Sequence, residues 1–294
     1  MNEPFAKVGN ICEIKAYAKI NLGLDVVGVL PNGYHEVRMI MQTVGIWDLL
    51  TFEKIPRGIV ITTDSGELPT NEDNLIYRAA ALLMERYRIS QGVRIHLQKN
   101  IPIAAGMAGG SSDAAATLKG VNGLFGLGCS LEELKELGVK IGADVPYCVM
   151  GGTALAEGIG EKLTALAPAP RCHLLVAKPD INVSTRYVYE HLDARKSYEH
   201  PDIDGMVQAI EEGRLEGILE RMGNVLESVT VPAYPIINTL KMRMKELGAA
   251  GSMMSGSGPT VFGIFTEEET AERAFVKLKE EKLAKQVFLT GFQN

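Results

Sequence analysis

Small residues crowd into one segment, Gly106-Met-Ala-Gly-Gly-Ser-Ser112, which runs directly into Asp113-Ala-Ala-Ala116. Glycines let successive backbone amides turn inward around an anion, and a helix starting just beyond them presents unsatisfied N–H groups at its positive end. Two serine hydroxyls add donors, so the chemistry on offer is a phosphate cradle without a lysine of its own. The same residues suit a tight turn that merely permits close packing. A second run, Gly248-Ala-Ala-Gly-Ser-Met-Met-Ser-Gly-Ser-Gly-Pro-Thr260, strings backbone donors between a helix and a strand. Its length suits a loop that closes over phosphates or substrate. One such loop in each half of the chain suggests a ligand held in a cleft between domains.

Two further patterns could do chemistry. In Ala18-Lys-Ile-Asn-Leu-Gly-Leu24 the apolar Ala18, Ile20 and Leu22 share one strand face, so Lys19 and Asn21 point together to the other. A Lys–Asn pair could meet an anionic or hydroxylated substrate, while an exposed strand face is the simpler reading. Asp144, in Gly142-Ala-Asp-Val-Pro146, is a carboxylate in a small-residue turn. It could accept a proton from a substrate hydroxyl with a lysine nearby, although loop aspartates commonly cap or pair structurally. His96 lies on the polar face of a strand and reads as solvated. The dipeptide Gly-Lys occurs nowhere, which excludes a Walker A loop, and G-x-G-x-x-G, H-E-x-x-H and G-x-S-x-G are also missing.

The elements that must position these residues belong to a chain of 294 residues with 30 basic and 36 acidic side chains, a net charge of −6. That length suits two domains, and 46% hydrophobic with 22% charged residues is an ordinary globular composition. The acidic balance argues against broad binding to nucleic acid or anionic membranes. The four cysteines form no C-x-x-C pair and read as reduced core thiols. Glu3, Lys7 and Asn10 interrupt the opening segment, so neither a secretory signal nor a transit peptide is expected, and a cytoplasmic enzyme is.

Strands are expected at Ile59–Thr63 and Val93–Leu97, the second strictly alternating, with a helix between them carrying Leu75, Ile76, Ala79, Leu82 and Leu83 on one face. Ser130-Leu-Glu-Glu133 is a capping box in which the serine accepts from the third helical amide and the glutamate reaches back. That helix should stop near Gly142. Two strands should flank the Gly158-Ile-Gly160 turn, and Pro168-Ala-Pro170 is the best domain boundary, dividing the chain into 1–168 and 169–294. Beyond it come a strand at His173–Ala177 and helices near 184–193, 203–220 and 235–247, the last closing on Gly248. A β-α-β ending runs through Val261–Phe265, a helix over 267–282, and Gln286–Thr290. Both halves therefore read as α+β.

Taken in order, Ala18-Lys-Ile-Asn21, Pro102-Ile-Ala-Ala-Gly-Met-Ala-Gly-Gly-Ser-Ser112 and Met254-Ser-Gly-Ser-Gly-Pro-Thr260 resemble the three motifs of the GHMP small-molecule kinases, over nearly the whole chain. Met107 in place of leucine, and Ala-Gly-Gly in place of a single glycine, depart from the generic loop. Asn32-Gly-Tyr-His35, Gly-Gly-Ser-Ser in the central loop, Gly142-Ala-Asp-Val-Pro146 and Glu157-Gly-Ile-Gly-Glu161 are similar to the branch whose acceptor is a methylerythritol carried on cytidine diphosphate. The resemblance implies a domain like ribosomal protein S5 domain 2, a ferredoxin-like second domain, and transfer of the ATP γ-phosphoryl to the 2-hydroxyl of that acceptor. It implies Asp144 as general base and Lys19 as the residue that orients it. Pro102, Gly106, Ala108, Gly109, Gly110, Ser111 and Ser112 would hold the ATP phosphates, and Asn74 would border the adenine. Asn21, Thr185, Gly256, Ser257 and Gly258 would meet the acceptor, with Tyr34 and His35 on the cytosine and Tyr189 on the opposite face of that base. Mg²⁺ is expected with the ATP. Ser112 is a candidate ligand, no second acidic ligand declares itself, and the ion would rest mostly on phosphates and water. No protein, nucleic-acid or membrane partner is implied. Mevalonate or homoserine as acceptor, or a nucleotide-sensing relative without catalysis, are the other readings.

Overall fold

The computed structural model describes residues 6–8, 11–31, 33–193 and 198–294, so Asn32 of the Asn32-Gly-Tyr-His35 motif and Glu3 and Asn10 of the opening segment lie outside the described residues. The first strands are β1 (Ala6–Val8), β2 (Ile11–Val29) and β3 (His35–Ile55), with the turn from β2 to β3 closed by Leu30 N donating to Tyr34 O at 2.7 Å. There follow β4 (Ile59–Thr63), α1 (Leu75–Arg86), β5 (Gly92–Gln98), α2 (Gly109–Phe125), α3 (Leu131–Val139) and α4 (Val145–Met150). The rest of the chain forms β6 (Thr153–Gly158), β7 (Lys162–Ala165), β8 (His173–Lys178), α5 (Thr185–Asp193), α6 (Ile203–Glu211), α7 (Leu215–Arg221), β9 (Gly223–Asn224) and α8 (Glu227–Ala233). It ends with α9 (Ile236–Glu246), β10 (Gly251–Met254), β11 (Val261–Phe265), α10 (Glu268–Glu281) and β12 (Gln286–Gly291).

By contact density the chain falls into two units. The first comprises Met1–Ala18, Ile46–Ile103 and Ala108–Met150; the second comprises Lys19–Gly45, Ala104–Met107 and Gly151–Asn294. A contiguous cut at 168/169 divides the chain along its length, whereas these units divide it by packing, and β2 and β3 each contribute residues to both.

In the first unit β1, β2, β3, β5 and β4 lie in that sheet order, with β3 antiparallel and β4 parallel to β5. Val93, Ile95 and Leu97 are buried and Arg94 and His96 exposed, as the alternation predicts, and His96 Nδ1 meets Thr62 Oγ1 at 2.9 Å. The buried face joins Ala114, Ala115, Leu118 and Val121 of α2 to Phe52, Leu50 and the apolar stripe of α1. Gly120 brings α2 so close that a Cβ there would stand 2.5 Å from Phe52 Cζ. Ser130 Oγ accepts from Glu133 N at 3.2 Å, but the reciprocal half of the expected capping box is not made. Glu133 Oε1 instead accepts from Tyr87 Oη at 2.7 Å and Arg86 Nη2 at 3.1 Å, tying α3 to the end of α1. Those partners hold its carboxyl below the usual range, Tyr87 first and Arg86 second.

In the second unit β9 runs parallel to β2, and β3, β6 and β7 pair antiparallel. A separate antiparallel sheet has the order β10-β11-β8-β12. With β8 first, β10 and β11 second and third, and β12 last, that order is the ferredoxin-like arrangement, and α9 and α10 pack on it. The single helix expected over 203–220 is two, because Gly213 takes a positive φ of 66°. Gly213 N donates to Ile210 O and Arg214 N to Ala209 O, both at 2.9 Å, the two bonds that end a helix at a left-handed residue. Helix α8 and strand β9 carry no strong periodicity and are absent from the sequence reading. None of the four cysteines is in a disulfide, and burial pushes the Cys172 thiol up to about 12. Among the described residues no helix is long and apolar enough to cross a membrane.

Candidate active site

In the first unit the glycine-rich segment becomes the start of α2. Ala108 precedes it in the left-handed conformation (φ 56°) and offers no side-chain cap, which leaves the opening amides of the helix for an external acceptor. Gly109, Gly110 and Ser111 form this first turn. Ser112 closes it: its N–H donates to Ala108 O at 2.8 Å and its buried hydroxyl to Tyr17 O at 2.7 Å. Both donors of Ser112 are thus paired within the protein. Ser111 Oγ lies 3.9 Å from where a Cβ on Gly142 would stand, so the helix start and the Gly142–Asp144 turn are neighbours. Asp144 is half-buried immediately before α4, and its carbonyl accepts from Cys148 N at 3.0 Å. The turn read from the sequence is therefore a helix start, with Pro146 in the first turn, where its missing N–H costs nothing.

Asn74 caps α1, with Oδ1 accepting from Ile76 N at 2.9 Å and Nδ2 donating to Pro69 O at 2.7 Å, so both polar ends serve the backbone. Pro102 is buried, just past a group the sequence reading missed. Lys99, Asp48 and Asp113 meet beside the helix start, their side chains only 7%, 0% and 3% exposed. Lys99 Nζ donates to Asp48 Oδ2 and, at 3.1 Å, to Asp113 Oδ2, while Asp48 Oδ1 accepts from Asn100 N and Ile101 N at 2.5 and 2.7 Å. No local pattern separates Lys99 from a surface lysine.

In the second unit Lys19 and Asn21 do share a face, with Lys19 Nζ donating to Asn21 Oδ1 at 2.6 Å. That face is buried, Lys19 at 5% exposure and Asn21 at 0%, which overturns the solvated-strand reading. The backbone of Lys19 is held by Met107, whose carbonyl accepts from Lys19 N at 3.2 Å. Neighbouring Gly106 (φ 71°) packs against the second glycine run: a Cβ on it would sit 2.2 Å from Ser255 O, and Ser255 Oγ donates to Gly106 O at 2.9 Å. A Cβ on Gly256 would stand 3.2 Å from Gly106 O and 3.6 Å from Asn21 Oδ1. Asn21, Gly106, Ser255 and Gly256 are thus one cluster.

Only part of that second run is loop, since Gly251–Met254 is the edge strand β10 and Ser255 to Thr260 is the turn. Asn224 pins this turn from within, Nδ2 donating to Met254 O and Gly256 O at 2.9 and 2.8 Å, and Glu227 Oε1 accepts from Met254 N at 2.7 Å. Neither residue was singled out from the sequence, where Asn224-Val-Leu-Glu227 opens a helix too short to show a period. Thr185 reaches the same turn, its Oγ1 2.8 Å from Ser257 Oγ. Gly258 follows with φ 89°.

Two of the expected base-binding rings touch each other. His35 and Tyr189 lie face against face, centroids 4.6 Å apart and planes tilted 34°. A base sandwiched between two rings needs about 7 Å, two van der Waals contacts. The space between His35 and Tyr189 is therefore closed to a base, while Tyr34 is 60% exposed.

Residues 74–152 match the model for the GHMP kinases N terminal domain, and residues 206–284 that for the GHMP kinases C terminal. A relative from Lachnospira eligens, 4-diphosphocytidyl-2-C-methyl-D-erythritol kinase, is 55% identical over 94% of this chain and 96% of its own length. The chain belongs to the GHMP kinase family. The Lachnoclostridium phytofermentans protein of the same name is 54% identical over 96% of this chain and 98% of its own. A crystal structure of a 4-(cytidine 5'-diphospho)-2C-methyl-D-erythritol kinase superposes with a TM-score of 0.83 at 32% identity, covering 96% of this chain and 99% of that one. The chain thus has the two-domain α+β GHMP kinase fold. Among the described residues of this GHMP kinase, no group of three or more His, Cys, Asp or Glu could hold a metal ion.

Proposed function

We propose that this kinase transfers the γ-phosphoryl of ATP to the 2-hydroxyl of 4-diphosphocytidyl-2-C-methyl-D-erythritol, giving the 2-phosphate and ADP in non-mevalonate isoprenoid precursor biosynthesis. The observation that carries this reading is the 55% identity, over 94% of the chain, to a kinase named for that acceptor.

The chain's own groups divide the work. Amides at the start of α2, from Gly109 to Ser111, face the phosphates of the nucleotide, where the helix end favours negative charge. Asp144 receives the hydroxyl proton as the acceptor oxygen bonds to γ-phosphorus and the bond to the ADP oxygen breaks. Lys19, aligned by Asn21, supplies positive charge to the reacting groups. The turn from Ser255 to Gly258, held by Asn224 and joined by Thr185, presents polar groups to the acceptor. Tyr34 stacks on the cytosine, and the His35–Tyr189 pair walls the base. Among the described residues no group of carboxylates, histidines or cysteines forms a metal cage, and Mg²⁺ would be carried mostly by the phosphates and water.

ADP release would be followed with Mg-ATP and the cytidyl acceptor, with mevalonate and homoserine in parallel. Turnover restricted to the cytidyl acceptor is expected; turnover with either of the others alone refutes the assignment of acceptor.

A further inference from the structure

The cluster of Lys99, Asp48 and Asp113 is the least ordinary feature of the first unit. Three ionisable side chains, none more than 7% exposed, share one ammonium. Counted at their ordinary charges they sum to one net negative charge, directly beneath a helix start that has to receive a polyanion. Lys99 Nζ lies 3.0 Å from where a Cβ on Gly109 would stand, so the cluster touches the underside of the first turn of α2.

The two carboxyls are not equivalent. Asp48 is satisfied on both oxygens, by Lys99 and by the amides of Asn100 and Ile101. Asp113 receives only Lys99, and its Oδ1 is buried without a hydrogen-bond partner. An orphaned lone pair costs far less on a neutral acid than on a carboxylate.

We propose that Asp113 keeps its proton, so that Lys99 and Asp48 form a neutral ion pair, and that Lys99 is thereby a positioning residue for the first turn of α2 where the nucleotide's phosphates bind. Burial pushes the Asp113 carboxyl well above the usual range; Lys99 pulls it down and Asp48 pushes it up further. Lys99 links three segments: Asp48 on β3, its own run from 99 to 101, and α2. An anionic cluster at this position would repel the triphosphate, whereas a neutral one leaves the positive helix end unopposed. This deepens the reading of ATP as donor and rests on it.

The test compares three variants of the full chain. In Asp113→Asn, which mimics the neutral acid, KM for Mg-ATP and kcat should match the wild type, the melting temperature at neutral pH should be no lower, and the infrared band of a protonated carboxyl should disappear. In Asp48→Asn and Lys99→Met the KM for Mg-ATP should rise about tenfold or more, with KM for the acceptor unchanged. The proposal is overturned if the wild type lacks that band, if Asp113→Asn weakens nucleotide binding as much as Asp48→Asn does, or if Asp48→Asn leaves KM for Mg-ATP unchanged. Should Lys99→Met not fold, the two aspartate variants still decide the matter. A wild type that fails to bind Mg-ATP would refute the donor reading alone, since the infrared band reports on Asp113 without nucleotide.

Discussion

Asp144 carries the sharpest expectation of any single residue. Asp144→Asn keeps the side chain's size and removes its basicity, so turnover should fall about 10²–10⁴-fold while Mg-ATP binding, followed by equilibrium titration, is retained. Near-wild-type turnover would remove Asp144 from the chemistry. For the base, Tyr34→Ala should raise the acceptor KM by the worth of one stacking contact, about 1–3 kcal/mol, with kcat changed little; steady-state kinetics at saturating ATP read this directly. Residue types were legible because chemistry restricts them: glycine and serine for amide cradles, a carboxylate for a proton. Residue surroundings were not. Lys19 and Asn21 share a face because strand side chains alternate, which the sequence states, but that face is buried, and Gly256, which approaches Asn21, comes from a distant part of the chain. Ser112 makes the same point, since its hydroxyl proton looks available in the motif and is given to Tyr17, ninety-odd residues earlier.

Among elements, periodicity found those whose own pattern makes them amphipathic. Strand β5 and helix α1 appear where alternation and a helical stripe place them, with Asn74 as the cap. Strand β10 was missed because Gly251-Ser-Met-Met254 has no strand pattern of its own and exists by pairing with β11. Helix α8 matters more than its length suggests, because it follows Asn224 and carries Glu227, the two residues that hold the glycine turn. Asn224→Ala removes two donors from buried carbonyls and should cost about 2–6 kcal/mol of stability, a carbonyl left unpaired being worth about 1–3 kcal/mol. Denaturant unfolding measures the stability, and the acceptor KM should rise with it. An unchanged KM would mean that the turn keeps its shape without Asn224.

For the whole molecule, the Asp113 carboxyl ties stability to pH. Its folded value is raised, so above the ordinary aspartate range the folded chain holds a proton that the unfolded chain has lost. The folded state then binds more protons, and stability falls as pH rises from that range towards the raised value. Lys99 and Asp48 are the charged groups that set this value together with burial. Urea midpoints across pH should show the fall in the wild type and lose it in Asp113→Asn; parallel profiles would contradict it. The sequence by itself determined the order of elements, the residue types of the cradle and the kinase motifs, because these follow from local periodicity, backbone freedom and the chemistry of side chains. Only the tertiary structure decided that Lys19 and Asn21 are buried, that Ser112 is spent on Tyr17, that His35 and Tyr189 close on each other, and that Lys99 is shared by two aspartates. Each of those outcomes depends on which distant segment covers a face, and burial, desolvation and hydrogen-bond partnership are set by that covering segment, not by neighbours in the chain.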